Sequence, residues 1–430
     1  MRTTALLYVA TGILLLFSGQ TPSLAPDTIF FGGKIVTVDP AFTIQQAFAV
    51  RGEEFLAVGT DARILPLAGP QTRKVDLHGS TVIPGLMDDH DHVYAAAMAT
   101  RGRVTSPITE QEEDELILSM QKAKNAEGLT SVRDLNIGED AMRAYQRLWR
   151  AGKLTLRTGM GLRLEGVANI EQAVKSSGIE TTLGDHWLRL DSASEAPTPI
   201  PGTPFLESVL LLNRYGWRPA PHLCDRGCGR PGEYESLDLA LDAYEAADGA
   251  SSIRDKRWVL EHIPTVQPNQ MDRMARLGVV VSAQFQPFKW RTAEYDRMVR
   301  TMGKPELAER QVPMRELLDH HLIVGAGSDS HGMGQTDNPF IPIYFYVTRK
   351  TEDGRQLDPR QKITRQEALR VSTINNAYLT FEETVKGSIE AGKLADFVIL
   401  PEDILTVPED KILSIHPLAT YVGGREVFSR

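Results

Sequence analysis

Two patterns of hydrophobic and polar positions divide this chain. In the middle, short runs of apolar and β-branched residues recur, and segments with helical spacing of apolar residues, such as "SLDLALDAYEAAD", separate most of them. The runs are TVIPGL (81–86), LTSVRD (129–134), LRTGMGLRL (156–164), HWLRLD (186–191), GWRPAPHL (216–223), RWVLEHI (257–263), VVVSAQF (279–285) and LIVGAGS (322–328). A strand followed by a helix, repeated eight times, predicts an α/β fold of the parallel (β/α)₈ TIM-barrel type.

The two ends of the chain have a different character. "TIFFGGKIVTVD" and "AFAVRGEEFLAVG" near the start, and "GKLADFVILP" and "LATYVGGREVF" near the finish, read as short strands between turn residues. Strand groups at both termini predict a small β-sandwich composed of residues 26–80 and 384–430. The barrel is then expected over residues 81–383.

Composition and charge narrow the class of protein. The 430 residues are 42% hydrophobic and 24% charged, as in an ordinary globular protein, and their number suits a barrel with an accessory domain. The net charge of −9 and the lack of a Lys/Arg run argue against a nucleic-acid-binding surface. The net charge indicates little else about the partners of the protein.

The first 25 residues resemble an export signal. Arg2 precedes an apolar run from Ala5 to Phe17, and the segment finishes on the small-residue ending "SLA" at Ala25. A membrane anchor is the alternative, but this run is shorter than the roughly 20 residues that a span needs. We expect cleavage of a signal peptide at residues 1–25, no stable membrane insertion afterwards, and a secreted or periplasmic protein.

The chain has only two cysteines, Cys224 and Cys228. They could form a disulfide in an oxidising compartment, although the geometry of so short a loop could equally forbid it. Cys224 is also a candidate metal ligand, against the alternative of a buried thiol. The sequence leaves these choices open.

Histidines and one aspartate follow several of the predicted strands. His90 and His92 come after the first run, His222 and His262 end the fifth and sixth, and Asp329 follows the eighth. The carboxyl ends of barrel strands open onto one face, and residues i and i+2 of an extended segment point the same way. Each residue has a structural alternative, such as helix capping by Asp329. Together, neutral imidazoles and a carboxylate predict a site for Zn²⁺ or a similar divalent ion.

Several motifs carry a resemblance to a known family. "TVIPGLMDDHDH" resembles the first-strand signature of the metal-dependent amidohydrolase superfamily, and "PHLCD", "RWVLEHI" and "VGAGSDS" are similar to its later ligand strands. The segment "TRQEALRVSTINNAYLTFEETVKGSIEAGKLADFVIL" resembles its C-terminal signature. "GLTSVRD" and "LALDAYEAA" indicate the YtcJ-like branch (amidohydrolase 3), which includes N-substituted formamide deformylases.

The resemblance implies a role for each matched residue. His90, His92, His222, His262 and Asp329 would bind metal, and Asp329 would also move a proton from the metal-bound water to the leaving group. A divalent ion lowers the pKa of its water towards 7 and polarises a carbonyl. The expected reaction is hydrolysis of a C–N bond (amide, N-acyl or cyclic amide) of a small molecule by metal-bound hydroxide.

Further candidate residues lie beside these ligands. His331, two residues beyond Asp329, is a candidate substrate contact, against a plain loop histidine. Many members of the superfamily carry a metal-bridging carboxylated lysine after the fourth strand, but "HWLRLDSASEAPTP" has none. Asp191 or Glu195 could supply a second-metal carboxylate instead, or both could be surface residues. A single ion, most simply Zn²⁺, is therefore slightly favoured.

The missing lysine slightly favours a second function over hydrolysis. A catalytically silent periplasmic barrel that binds a metal or small ligand is the alternative to the hydrolase. Asp329 opposes this alternative, because metal binding alone does not require a base at that position.

Overall fold

A computed structural model describes residues 25–430 except 103–105, 165–166, 178–180, 224–235, 264, 285–291 and 331–337. The predicted signal peptide, apart from Ala25, lies outside these ranges and stays a prediction. Among the helices of the described residues, none is both long and apolar enough to cross a membrane.

Seven strands of the described chain precede the barrel-like part: β1 (Thr28–Phe31), β2 (Lys34–Val36), β3 (Ile44–Gln45), β4 (Ala47–Arg51), β5 (Glu54–Gly59), β6 (Arg73–Asp76) and β7 (Thr81–Pro84). One sheet has the order β5-β4-β1-β6, in which β1 is antiparallel to β4 and parallel to β6. The remaining strands β2, β3 and β7 belong to a second sheet that also takes strands from the other end of the chain.

The central strands are parallel, as the alternating pattern predicts. Within the described ranges they are β8 (Leu86–Asp91), β9 (Leu129–Ile137), β10 (Arg157–Leu162), β11 (Leu188–Glu195), β12 (Pro219–Pro221), β13 (Val259–Glu261), β14 (Val280–Gln284) and β15 (Val324–Gly327). They form one sheet in the order β12-β11-β10-β9-β8 and another in the order β13-β14-β15. The last seven predicted runs each overlap one of these strands, whereas the first run reaches β8 only at Leu86.

Hydrogen bonds connect these two parallel sheets at both edges. An isolated parallel bridge pairs His222, next to β12, with Glu261 at the end of β13. At the other edge, the Asp329 amide donates to the His90 carbonyl at 2.8 Å, so the segment after β15 lies against β8. The arrangement is therefore an α/β fold of the barrel type.

Helices separate most of the parallel strands, and others flank them. Their bounds are α1 (Asp61–Ile64), α2 (Val93–Ala99), α3 (Glu110–Ala126), α4 (Glu139–Arg150), α5 (Val167–Ser177), α6 (Phe205–Arg214), α7 (Ser236–Ala250), α8 (Pro268–Leu277), α9 (Thr292–Met302), α10 (Pro305–Glu309), α11 (Met314–Asp319), α12 (Phe340–Thr348), α13 (Arg365–Val371) and α14 (Ile374–Leu379). Short 3₁₀ helices cover Leu65–Leu67, Pro359–Gln361 and Glu409–Ser414.

Local sequence signals explain where helix α8 begins and ends. Gln267 and Gln270 cap its first turn reciprocally, and Pro268 occupies the first helical position, where no amide donor is needed. Gly278 ends it at φ +66°, and a Cβ there would lie 2.4 Å from the Arg254 carbonyl oxygen. Glycine satisfies both conditions, and this explains why the helix ends at Gly278.

The last strands, β16 (Phe397–Leu400), β17 (Ala419–Val422) and β18 (Arg425–Ser429), complete the second sheet in the order β18-β17-β16-β7-β2-β3. Both chain ends therefore meet in one sheet. Between it and the four-stranded sheet lies an aromatic cluster, in which Phe30 and Phe48 contact Phe397 at ring-centroid distances of 5.0 and 4.8 Å. Such edge-on aromatic contacts add to the stabilisation from burial.

The run predicted as the first barrel strand divides at Gly85. Thr81–Pro84 pairs with β16 in the end sheet, and the parallel strand begins at Leu86. A Cβ at residue 85 would lie 2.1 Å from the Thr130 hydroxyl oxygen, so glycine allows the chain to pass directly from one sheet to the other. The first parallel strand thus begins at Leu86, a few residues after the predicted boundary at 81.

Candidate metal centre

The structure gathers the five sequence-predicted ligands at the carboxyl ends of the parallel strands. His90 lies in β8 and His92 directly follows that strand, while His222 and His262 directly follow β12 and β13. Asp329 lies two residues beyond β15. This is the face on which barrel enzymes carry their active sites.

Glu195, the last residue of β11, stands among the four histidines. Its Oε1 atom lies 3.2 Å from His222 Nδ1 and 3.4 Å from His90 Nε2. The same oxygen is 3.6 Å from His262 Nε2 and 3.9 Å from His92 Nε2. One carboxylate oxygen therefore faces nitrogens from four different histidines.

Asp329, beyond the end of β15, approaches three of these histidines. Its Oδ1 atom is 3.2 Å from His92 Nε2 and 3.6 Å from His90 Nε2, and its Oδ2 is 4.0 Å from His262 Nδ1. Two overlapping triads have donor atoms within 4.8 Å of one another: His90 with His92 and Asp329, and His90 with Glu195 and His262. The geometry offers two adjoining places for a cation.

Three of these residues leave their strands in the left-handed backbone region. Glu195, His262 and Asp329 have φ angles of 58°, 56° and 53°. Non-glycine residues in sparsely populated backbone regions cost of order 1–3 kcal/mol each and persist where surrounding structure holds them. Such strained residues cluster at functional sites, as they do at this end of the barrel.

Buried nitrogen atoms test whether the site fits a metal ion. His90 Nε2 and His262 Nε2 are both buried, and neither has a hydrogen-bond partner among the described residues. A buried polar atom without a partner is costly, whereas an imidazole nitrogen facing carboxylates is a normal metal ligand. The donor set therefore fits a divalent ion.

The electrostatics of the site act differently on its donors. Burial would lower the pKa of His90 and of His92, but the carboxylates that face these two imidazoles raise it. Burial alone would raise the pKa of Glu195, but its close contacts with the imidazoles of His222, His262 and His90 hold it well below its usual range. Burial, together with the charges of His222 and His90, lowers the pKa of His262 to about 4. At neutral pH the site thus presents an ionised carboxylate beside a neutral imidazole.

Two glycines of β15 allow β8, the strand that carries His90, to approach closely. A Cβ at Gly327 would lie 2.5 Å from Asp89 Oδ1 and 2.6 Å from the His90 amide nitrogen. A Cβ at Gly325 would lie 2.2 Å from Asp89 Oδ2. The run "VGAG" therefore fixes how close His90 comes to Asp329.

Replacing Gly327 by alanine is expected to displace β8 and with it His90. We expect the free energy of unfolding to fall by about 1–3 kcal/mol, as for other overpacked sites. Bound zinc should fall as well, measured by elemental mass spectrometry beside denaturant unfolding. Gly249→Ala in α7 is the matched control, since a Cβ there meets nothing within 4 Å. A Gly327→Ala protein with native stability and zinc content would contradict this account of the strand.

Asp191 does not reach the candidate centre, in contrast to its proposed role as a second-metal carboxylate. Its Oδ2 accepts a hydrogen bond from Arg133 Nε at 2.8 Å, and its Oδ1 is paired with Arg218. Burial alone would raise the pKa of Asp191, but these two guanidinium groups hold it at about 2. Of the two fourth-strand carboxylates, Glu195 alone lies at the histidines.

Sequence reasoning missed the charged residues beneath the histidines, namely Glu261, Arg133 and Arg218. Each lies in or beside a strand and is buried, in a barrel interior usually filled with branched apolar side chains. The available signal was a charged residue inside an apolar run, in "SVRD", "VLEH" and "WRPA". His331, Cys224 and Cys228 lie outside the described residues, so their predicted roles stay predictions.

The chain matches known proteins over most of its length. The sequence profile described as the amidohydrolase family matches residues 104–428, which include Glu195, His222, His262 and Asp329. N-substituted formamide deformylase of Arthrobacter pascens is 35% identical over 190 residues, 44% of this chain and 34% of that protein. The putative amidohydrolase YtcJ of Bacillus subtilis is 20% identical over 349 residues, 76% of this chain and 64% of that protein.

A solved structure is similar in fold. Atrazine chlorohydrolase TrzN of Arthrobacter aurescens, complexed with zinc, superposes with a TM-score of 0.65 at 16% identity, covering 94% of this chain and 95% of that one. The similarity supports a TIM-barrel-like α/β fold. The sequence match to the deformylase, in contrast, spans about a third of that relative's length.

Proposed function

The chain belongs to the amidohydrolase family, in its YtcJ-like branch, and on this premise we propose that it is a metal-dependent hydrolase of a C–N bond in a small molecule. The bond would be an amide, N-acyl or cyclic amide bond. The observation that carries the proposal is the position of Glu195 Oε1, within 3.9 Å of a nitrogen of each of four histidines, with Asp329 opposite. Zinc is the proposed metal.

We propose two ions rather than the single ion favoured by the sequence. His90, His92 and Asp329 would hold one, and His222 and His262 would hold the other. Glu195 would lie between them, in the role that a carboxylated lysine takes in many relatives. Two triads of donor atoms support two adjoining sites, the first formed by His90, His92 and Asp329 and the second by His90, Glu195 and His262. The assignment of His222 rests on its contact of 3.2 Å with Glu195 Oε1.

The proposed mechanism assigns proton transfer to Asp329. A bound divalent ion would lower the pKa of a water molecule and polarise the substrate carbonyl. Asp329 would accept the proton of the attacking water and deliver it to the leaving nitrogen as the C–O bond forms and the C–N bond breaks. Its side chain, 7% exposed, lies at the carboxyl-end face, where a substrate would reach it.

The finer architecture and the location of the protein are also proposals. Hydrogen bonds at both edges of the parallel sheets support a complete (β/α)₈ barrel. The aromatic cluster shared by the end sheets supports a β-sandwich composed of both termini. The export-signal pattern at residues 1–25 supports a secreted or periplasmic enzyme.

Metal content and its removal test the proposed function. Protein purified without chelator is expected to carry about two zinc equivalents per chain, counted by elemental mass spectrometry. It should hydrolyse members of a panel of N-acyl, formamide and cyclic amide compounds. A chelator should abolish that hydrolysis, and added zinc should restore it. Protein that binds no metal even when it is supplied, or that hydrolyses amides equally well without metal, would refute the proposal.

A further inference from the structure

A connected series of buried titratable side chains crosses the barrel interior beneath the candidate centre. Starting at His90, it runs through Glu261, Arg133 and Asp191 to Arg218, and thus connects β8, β13, β9, β11 and the start of β12. These five residues are between 0% and 4% exposed. Two carboxylates alternate with two guanidinium groups, so the charges of these five side chains sum to zero when His90 is neutral.

The first contact of this series of side chains joins it to the candidate metal centre. His90 Nδ1 lies 2.8 Å from Glu261 Oε2. A histidine that donates its Nδ1 proton to a carboxylate leaves its Nε2 lone pair for a metal, and His90 Nε2 is the atom that faces Glu195 and Asp329. His92 differs, because its Nδ1 lies 3.2 Å from the Leu135 backbone carbonyl oxygen instead.

The remaining links hold Glu261 in place. Its second oxygen, Oε1, accepts a hydrogen bond from Arg133 Nη1 at 2.9 Å. Arg133 also donates to the Asp89 carbonyl at 2.7 Å and to Asp191 Oδ2 at 2.8 Å. Asp191 is paired with Arg218, which donates to the Leu379 carbonyl at 2.6 Å. Every oxygen of the two carboxylates therefore has a cationic or imidazole partner.

We propose that Glu261 and Arg133 are positioning residues, which set the tautomer and orientation of His90 for metal binding and are themselves fixed by Asp191 and Arg218. The proposal rests on the proposed function, in which His90 is a ligand. It also explains why polar residues occupy an interior that apolar side chains would fill more simply. Outer partners of this kind typically change metal affinity or activity by 10–100-fold when mutated.

The experiment compares two buried carboxylates in the full chain. Glu261→Gln keeps the shape of the side chain but removes its charge. Asp396→Asn is the matched control: Asp396 pairs with Arg157 through two hydrogen bonds of 2.8 and 2.9 Å, is 5% exposed, and lies beside the end sheet, where it contacts no candidate ligand. Both proteins are stripped of metal, and zinc affinity is measured by competition with a chromophoric chelator, with the thermal midpoint of each metal-free protein as a second readout.

We expect Glu261→Gln to weaken zinc binding by about 10–100-fold. Asp396→Asn should leave zinc affinity within about twofold of native, although both substitutions lower the thermal midpoint by breaking a buried ion pair. Unchanged zinc affinity in Glu261→Gln, or an equal loss in both variants, would overturn the positioning role while leaving the hydrolase proposal intact. A native protein that binds no zinc would overturn both.

If Glu261→Gln does not fold, a measurement on the native protein tests whether Glu261 sets the tautomer of His90. Nuclear magnetic resonance of the zinc-loaded protein with ¹⁵N-labelled histidine reports which ring nitrogen of His90 carries the proton. We expect the proton on Nδ1, protected from exchange with solvent by its bond to Glu261. A His90 ring protonated at Nε2, or one whose Nδ1 proton exchanges freely, would overturn the proposal.

Discussion

Replacing Asp329 by asparagine is expected to lower kcat for amide hydrolysis by about 1000-fold, within the range of 10²–10⁴ typical for loss of a general acid–base group. Asparagine has nearly the same size but cannot accept the proton of the attacking water. Because Asp329 Oδ1 also lies 3.2 Å from His92 Nε2, the substitution should weaken metal binding too. The assay therefore uses saturating zinc, so that kcat reports proton transfer rather than metal occupancy.

A surface carboxylate supplies the control for this experiment. Asp410 lies exposed in the 3₁₀ helix Glu409–Ser414, and Asp410→Asn should retain native kcat and KM. If Asp329→Asn kept kcat within about tenfold of native at saturating zinc, the proton would be moved by another group. The role assigned to Asp329 would then be wrong, even if metal-dependent hydrolysis itself were established.

Replacing Glu195 by glutamine is expected to reduce bound zinc from about two equivalents to about one. The change removes the negative charge that faces four histidines and places an amide among their nitrogens. Hydrolysis should fall by more than the roughly 10–100-fold typical of residues outside the ligand shell. Elemental mass spectrometry and kcat are measured on the same preparation, so that metal content and rate can be compared directly.

The prediction for Glu195→Gln has a matched control and a clear contradicting outcome. Glu207, on the exposed face of α6, offers a matched Glu→Gln change that should leave zinc content unaltered. Two zinc equivalents retained in Glu195→Gln would show that Glu195 does not lie between the ions. A native protein with a single zinc equivalent would instead support the mononuclear site favoured by the sequence.

Local patterns in the sequence were sufficient for the barrel strands. Seven of the eight apolar runs overlap a parallel strand, because a strand buried on both faces reads as a short, continuous hydrophobic segment. The same pattern could not predict that the first run changes from one sheet to the other at Gly85. "TVIPGL" is uniformly apolar, and only the pairing of Thr81–Pro84 with β16, more than 300 residues further along the chain, shows that this run serves two sheets.

The same distinction applies to the candidate site. Strand topology predicts some of its residues, and buried partners decide the others. Five residues lie at or just beyond the carboxyl ends of converging strands, so their proximity could be predicted from topology: His90, His92, His222, His262 and Asp329. Choosing between Asp191 and Glu195 required more, because the two lie in one strand and differ in which partners the barrel interior supplies. Arg133 and Arg218 engage Asp191, and neither pairing leaves a signature in the spacing along the chain.

The junction at Gly85 has a consequence for biosynthesis. Strand β8, which carries His90, begins two residues after β7, and β7 pairs with β16 near the end of the chain. Such pairing between distant segments forms slowly and late, since the loop between them must close first. A ribosome would have to release nearly the whole polypeptide before β7 acquires this partner. Capture of the metal is therefore expected to mark the completion of folding, and incomplete chains should remain without it.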